Sequence, residues 1–220
     1  MHYLYILFLT AVAYLIGSLP ISLIITKLRY GIDIREHGNG QASWGNVYET
    51  ISPKIGFWAL GLEIAKGAIA PALAIMACMD WGRLTLTQYP IFMLSFGLAA
   101  ILGQNFPIFT KFKPNNDISC AIGVLLCIHP LSTLICTLIA IVVYLISKYV
   151  QWSYVIALIA FPILLFNLPH KHAFISPTLW LFVGVLALGI FYLHSNKMLY
   201  QVSNSRIHVL VRKMIDLSKK

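Results

Sequence analysis

Charge is what this sequence has least of. Only 10% of its 220 residues are Asp, Glu, Lys or Arg, against about 25% in a soluble domain. That excludes an ordinary water-soluble enzyme. Intrinsic disorder is excluded too, because it needs low hydrophobicity and high charge, and 59% of this chain is hydrophobic. Acids are scarcer still: 7 Asp and Glu stand against 16 Lys and Arg, a net charge of +9. On a soluble protein that excess would point to nucleic acid. On a membrane protein it points to cytoplasmic loops, where basic residues collect, so no nucleic-acid partner is expected. Cysteine is sparse as well. Cys78, Cys120, Cys127 and Cys136 all lie in apolar runs, and they read as packing residues rather than disulfides or metal ligands. His170 and His172 flank Lys171 with no carboxylate or thiol beside them, which is weak ground for a metal. No metal or cofactor is expected. The sequence also lacks G-x-S-x-G, H-E-x-x-H and Walker patterns, the signatures of common hydrolases, metalloproteases and nucleotidases.

What is present is a series of long apolar runs. A spanning helix needs about 20 mostly apolar residues. Candidates fall at 3–25, at 54–79 with Glu63 and Lys66 inside it, at 89–109, 152–168 and 173–194. The stretch 118–147 carries no charge and is too long for one span. His129-Pro130 sits near its middle, and proline in a helix interior removes a hydrogen bond and clashes one turn back. Two helices are expected there, 118–128 and 131–147; the alternative is one kinked helix and six segments in all. Loop charge favours seven. With the N-terminus outside, Lys27, Arg29, Arg35, Lys54, Lys111, Lys113, Lys148, Lys197, Arg206, Arg212, Lys213, Lys219 and Lys220 lie inside. Only Arg83 and Lys171 lie outside, and Lys66 lies within a segment. This is a strong positive-inside pattern. The first helix lacks a basic leader and an A-x-A site, so it does not read as a cleaved signal. The expected fold is an all-α polytopic membrane protein of about seven transmembrane helices, with the C-terminus cytoplasmic. A membrane domain covers 1–204. In the tail 205–220, Ile207, Leu210, Val211, Met214 and Leu217 recur at helical spacing around Arg212 and Lys213, as in a basic helix lying on the inner membrane surface.

Three polar clusters carry the candidate chemistry. The loop 31–46 is glycine-rich, with Gly38, Asn39, Gly40 and Gln41 followed by Ser43, Gly45 and Asn46. Glycines let backbone N–H groups converge on an anion, and Arg35 adds a fork that fits phosphate oxygens. A plain solvated loop is the alternative. Glu63 and Lys66 share a helix face by their spacing of three. Ionisable groups inside a membrane are expensive and face a site or each other, so a functional couple and a structural ion pair both stay open. The segment 103–117 turns at Pro107 and presents Lys111, Lys113, Asn115 and Asn116. It reads either as an interfacial anchor or, for the asparagines, as donors near the positive end of a short helix. His194 sits at the inner end of the last segment.

Taken in order, these residues resemble a known family. Gly17-Ser18-Leu19-Pro20, Gly31-Ile-Asp-Ile-Arg35, Gly38-Asn-Gly40 and Asn46-Val47 resemble the first motif of the bacterial acyl-phosphate:glycerol-3-phosphate acyltransferases, the PlsY family. Leu62-Glu-Ile-Ala-Lys66-Gly67 resembles the second motif, and the run 103–113 resembles the lead-in to the third. The resemblance implies transfer of a fatty acyl group from acyl phosphate to the 1-hydroxyl of glycerol 3-phosphate, in a bacterial cytoplasmic membrane. It implies catalytic roles for Arg35, Asn46, Lys66 and His194. It implies phosphate or substrate binding by Ser18, Gly38, Asn39, Gly40, Gln41, Lys113, Asn115 and Asn116. Arg35 and Lys66 would neutralise one phosphate while the glycine turn cradles the other. The chain also departs from the pattern. Glu49 replaces an arginine, Gln104 a histidine, and Pro114-Asn-Asn-Asp117 a Gly-Gly-Lys-Gly turn. Two further readings therefore stand beside the enzyme: an inactive relative that binds a lipid or phosphorylated ligand, and a small transporter built on Glu63 and Lys66.

Overall fold

A computed structural model describes residues 2–81, 89–113, 115, 117–147 and 150–167. Every described element is helical. The α-helices are α1 (His2–Ser18), α2 (Ile21–Tyr30), α3 (Trp44–Thr50), α4 (Pro53–Trp81), α5 (Tyr89–Asn105), α6 (Ser119–Ile128), α7 (Pro130–Ser147) and α8 (Val150–Asn167). Short 3-10 turns at Ile34–Glu36 and Ile108–Thr110 shape two loops.

Two prolines break apolar runs, one where a break was expected and one where it was not. His129-Pro130 divides 118–147 into α6 and α7, as expected. The first segment, expected as one helix over 3–25, is instead broken at Leu19-Pro20. Its halves, Leu4–Ser18 and Ile21–Tyr30, meet at 47°. Pro20 has no N–H to continue the helical ladder and disfavours helical backbone at the residue before it. By length and composition, Pro53–Ala74, Phe92–Thr110 and Pro130–Ser147 can each cross a membrane, and the bent pair makes a fourth if counted once. The ten residues of α6 rise only about 15 Å, half a hydrocarbon core of about 30 Å. The segment 173–194 and the tail 205–220 lie outside the described residues.

Packing depends on close backbone approach. One core cluster gathers Leu9 and Ala13 of α1, Ala70 and Ala74 of α4, Met93, Phe96, Ala99 and Ala100 of α5, and Cys120 of α6. Most of these are small, as expected where helices associate in lipid without a hydrophobic driving force. Glycines pair reciprocally at the tightest crossings. A Cβ on Gly17 would strike the Ala100 backbone, and one on Gly103 would strike Tyr14, so each of α1 and α5 seats a glycine against the other. Gly67 and Gly123 do the same for α4 and α6, against Cys120 and Ile64. The outer faces are apolar instead. On α7, Leu131, Leu134, Leu138, Ile141, Val142, Leu145 and Ile146 are all exposed, a surface compatible with lipid. A second cluster of Leu23, Ile34, Ala42, Val47 and Ile55 packs beneath the loop between α2 and α3.

Candidate active site

Three chain segments converge on one cavity of about 90 Å³, room for several water molecules. The α1–α2 break supplies Ser18, Leu19 and Pro20. The glycine-rich loop supplies Arg35, Gly40, Gln41 and Ala42. The end of α5 and the loop after it supply Gln104, Pro107, Thr110, Lys113 and Asn115. The charged lining residues are Arg35 and Lys113, both cations.

The glycine-rich loop is built around Asn46. This residue is fully buried. Its Nδ2 donates to the carbonyl oxygens of Ile34 at 3.0 Å, His37 at 3.0 Å and Gln41 at 2.9 Å. Its Oδ1 accepts from the Asn39 N–H at 3.1 Å and from Thr50 Oγ1 at 3.0 Å. One side chain thus satisfies a loop with no ladder of its own, as buried backbone groups require. Gly38 fits because it has φ +59°, and a Cβ there would strike Asn46 Oδ1. Asn39 Oδ1 accepts from the Gln41 N–H at 3.0 Å, which fixes the turn beside the cavity.

Arg35 is oriented by Asp33. Nε and Nη2 donate to the two carboxylate oxygens at 2.9 and 2.6 Å, and Lys27 approaches the same carboxylate at 3.6 Å. The Arg35 hydrogen bonds and the Lys27 charge hold the Asp33 carboxyl below the ordinary carboxylate range, and the pair raises Arg35 further. A guanidinium has five donors. Asp33 engages two, leaving three for a ligand.

The third segment turns sharply. Lys111 and Phe112 both adopt positive φ, 56° and 57°, an uncommon conformation for residues other than glycine. The turn closes with Phe112 N–H donating to the Pro107 carbonyl at 3.0 Å, and it carries Lys113 to the cavity. Tyr14 Oη donates to the Phe106 carbonyl at 2.7 Å, tying this loop to α1. Asn115 Nδ2 donates to the Ala42 carbonyl at 3.0 Å, tying it to the glycine-rich loop.

Behind the cavity wall lies a buried polar network. Glu63 and Lys66 are 0% and 3% exposed and pair at 3.2 Å. Ser22 Oγ donates to Glu63 Oε1 at 3.0 Å, and Gln104 Nε2 to Glu63 Oε2 at 2.7 Å. Lys66 Nζ donates to the Leu19 carbonyl at 2.7 Å and to Gln104 Oε1. Asp117, in the loop before α6, is also buried. Burial, with Glu63 nearby, pushes its carboxyl up to about 7.

The glycerol-3-phosphate acyltransferase family model matches residues 7–203, nearly the whole chain. The chain belongs to that family. It is 39% identical over 149 residues to glycerol-3-phosphate acyltransferase 2 of Bacillus cereus, covering 68% of this chain and 69% of that one. It is 35% identical over 202 residues to the glycerol-3-phosphate acyltransferase of Chlorobaculum tepidum, covering 83% and 87%. Among solved structures it resembles PlsY, an integral membrane glycerol 3-phosphate acyltransferase. The glycerol 3-phosphate form aligns with a TM-score of 0.71 at 25% identity over 92% of this chain and 94% of that one. The lysophosphatidic acid form aligns with a TM-score of 0.71 at 26% identity.

Against the acyltransferase motifs, the expected residues fall into four groups. Ser18, Arg35, Gly40, Gln41, Lys113 and Asn115 line the cavity. Gly38, Asn39 and Asn46 stand behind it as the frame of the loop. Lys66 is engaged by protein groups instead of facing the cavity, because three acceptors surround its ammonium. Asn116 and His194 lie outside the described residues. Glu49, whose sign is reversed relative to the family pattern, is exposed on α3 and away from the cavity lining. Sequence reasoning did not single out Ser22, Asp33, Ala42 or Thr110, nor give Gln104 a role. Ser22 carried a usable signal, a polar residue within an apolar run. Ala42 contributes through its backbone carbonyl, which no residue type announces.

Proposed function

We propose that this chain is a membrane acyltransferase moving a fatty acyl group from acyl phosphate to the sn-1 hydroxyl of glycerol 3-phosphate, giving lysophosphatidic acid. The carrying observation is the cavity in which Arg35 and Lys113, both cations, are the charged lining groups, formed by the family's motif segments. Each cation about 4 Å from a phosphate charge contributes roughly 4 kcal/mol at an effective dielectric near 20, before screening. Two cations suit one phosphate group. The Gly38–Gln41 turn provides backbone and amide donors beside them.

The reaction needs positioning and charge stabilisation more than a protein nucleophile. The glycerol hydroxyl oxygen attacks the acyl carbonyl carbon, the carbon–oxygen bond to phosphate breaks, and inorganic phosphate leaves. A phosphate oxygen takes the hydroxyl proton. Arg35 and Lys113 hold the anionic groups while this occurs, and Asn46 acts by holding the loop. His194 is assigned a catalytic role on its motif position alone.

The proposed setting is the bacterial cytoplasmic membrane, with seven spans and the basic loops inside. That places Arg35, Lys111 and Lys113 on the side where both soluble substrate and acidic lipid headgroups are met. The membrane domain 1–204 holds the chemistry, and the basic tail 205–220 rests on the inner surface. The inactive-relative reading loses one of its two supports, because Glu49 does not reach the cavity. Purified chain in detergent, given acyl phosphate and glycerol 3-phosphate, should release inorganic phosphate and form lysophosphatidic acid. A folded sample that releases none, beside an active relative, overturns the proposal.

A further inference from the structure

Lys66 has three N–H donors, and the structure gives it three acceptors: the Leu19 carbonyl, Gln104 Oε1 and Glu63 Oε2. No proton of that ammonium is left for a substrate anion. The carboxylate is equally occupied, by Ser22 on Oε1 and by Lys66 and Gln104 on Oε2. Of these side chains, Gln104 is the one that also lines the cavity.

The direction of the Gln104 amide is set by its partners. Its oxygen faces the ammonium, which can only donate. Its nitrogen faces the carboxylate, which can only accept. Lys66 in turn holds the Leu19 carbonyl at the α1–α2 break, and Ser18, Leu19 and Pro20 form one wall of the cavity. From this arrangement we infer that Gln104 is a positioning residue. It locks the Glu63–Lys66 pair, and through Lys66 the Leu19-Pro20 edge, so that the substrate-binding wall keeps its shape. This rests on the acyltransferase reading of the cavity. It replaces direct phosphate contact by Lys66 with action through the backbone of the α1–α2 break.

A side chain at 104 must accept from Lys66 and donate to Glu63 at once. Leucine does neither. Histidine does both only while neutral, because imidazolium has no acceptor. The ionisable groups around position 104 are Glu63 and Lys66 on α4, with Asp117 before α6 and Cys120 on α6 interacting electrostatically with that pair, and Arg35 and Lys113 on the cavity side. Ser22 of α2 is the polar neighbour. Because Asp117 is common to parent and variants, the informative quantity is the difference between them.

The test compares full-length parent, Gln104→Leu and Gln104→His in detergent between pH 5.5 and 8.5, both by turnover and by thermal unfolding. Gln104→Leu should raise KM for glycerol 3-phosphate roughly tenfold or more at every pH, the scale expected when buried donors and acceptors lose a partner. Gln104→His should lie well above Gln104→Leu in both affinity and stability at high pH. It should lose both affinity and thermal stability, relative to the parent, as pH falls through the imidazole range near 6.5. A Gln104→Leu protein with parental KM, or a Gln104→His protein with no added pH step, overturns the inference. If the parent shows no turnover, the acyltransferase reading fails by itself. The pH dependence of Gln104→His unfolding still decides whether position 104 locks the ion pair.

Discussion

Asn115 Nδ2 donates to the carbonyl oxygen of Ala42 at 3.0 Å, joining two loops that lie 73 residues apart in sequence. Both residues line the cavity. The bond therefore ties the loop that carries Arg35 to the loop that carries Lys113. Asn115→Leu removes the donor and leaves the Ala42 carbonyl buried, a change of about 1–3 kcal/mol. KM for glycerol 3-phosphate should rise between several-fold and a hundredfold, with a fall of a few degrees in the unfolding temperature. Kinetics and unfolding on the same preparation check this.

Asn46 should be intolerant of an isosteric change. Asn46→Asp keeps the acceptor for Asn39 and Thr50 but sets a carboxylate oxygen against three carbonyls. The loop then loses three bonds and gains repulsion. Turnover should fall at least a hundredfold, and limited proteolysis should cut between residues 36 and 42 where the parent resists. A parental digestion pattern would show that the loop has other supports.

Gly67 is required by packing rather than by chemistry. It follows the buried lysine, which suggests a role at the site, yet its Cα faces the Cys120 backbone of α6. Gly67→Leu should push α4 and α6 apart and lower the unfolding temperature in detergent, on the scale of overpacking, about 1–3 kcal/mol or more. Gly61, on the same helix with open space around it, should accept alanine with no comparable loss.

Asp117 should make stability fall as pH rises. Its carboxyl is raised in the folded chain, so the folded state holds the proton more tightly than the unfolded one. The associated stability is complete below the unfolded value near 3.9 and is lost as pH rises through the folded value. The unfolding temperature should therefore drop between about pH 4 and 7 and level off above that, and Asp117→Asn should flatten that slope. Asp33 has the opposite sign. Its stabilisation is present above the unfolded carboxylate value and is lost only in stronger acid, so it adds no slope in this window.

Much of the architecture was legible from single residues. Pro130 announces the α6–α7 break because proline cannot continue a helical ladder. The glycine-rich loop, Arg35 and Lys113 were readable as anion-binding groups, and all three meet at the cavity. Lys66 was harder. Its location in an apolar run marks it as special, but its role depends on Leu19 and Gln104, which lie 47 and 38 residues away. Only the folded arrangement shows that its donors are already engaged. The Pro20 break was equally present in the sequence, yet the apolar run continues through it to Ile25, and hydropathy alone reads such a run as one helix. Helix α3 was hidden for a different reason. Its seven residues contain a glycine and a glutamate, and Ser43, whose Oγ accepts from Asn46 N–H at 3.3 Å, caps it from within what reads as loop.

In the proposed site, Arg35 and Lys113 jointly bind one phosphate group. The direct measurement is a double-mutant cycle on KM for glycerol 3-phosphate, with Arg35→Gln, Lys113→Gln and the double variant assayed with acyl phosphate as donor. The parent should turn over, each single variant should raise KM, and the double variant's loss should depart from the sum of the singles because both cations act on one anion. Independent, additive effects would contradict the shared site, and a parent that forms no lysophosphatidic acid would contradict the activity itself.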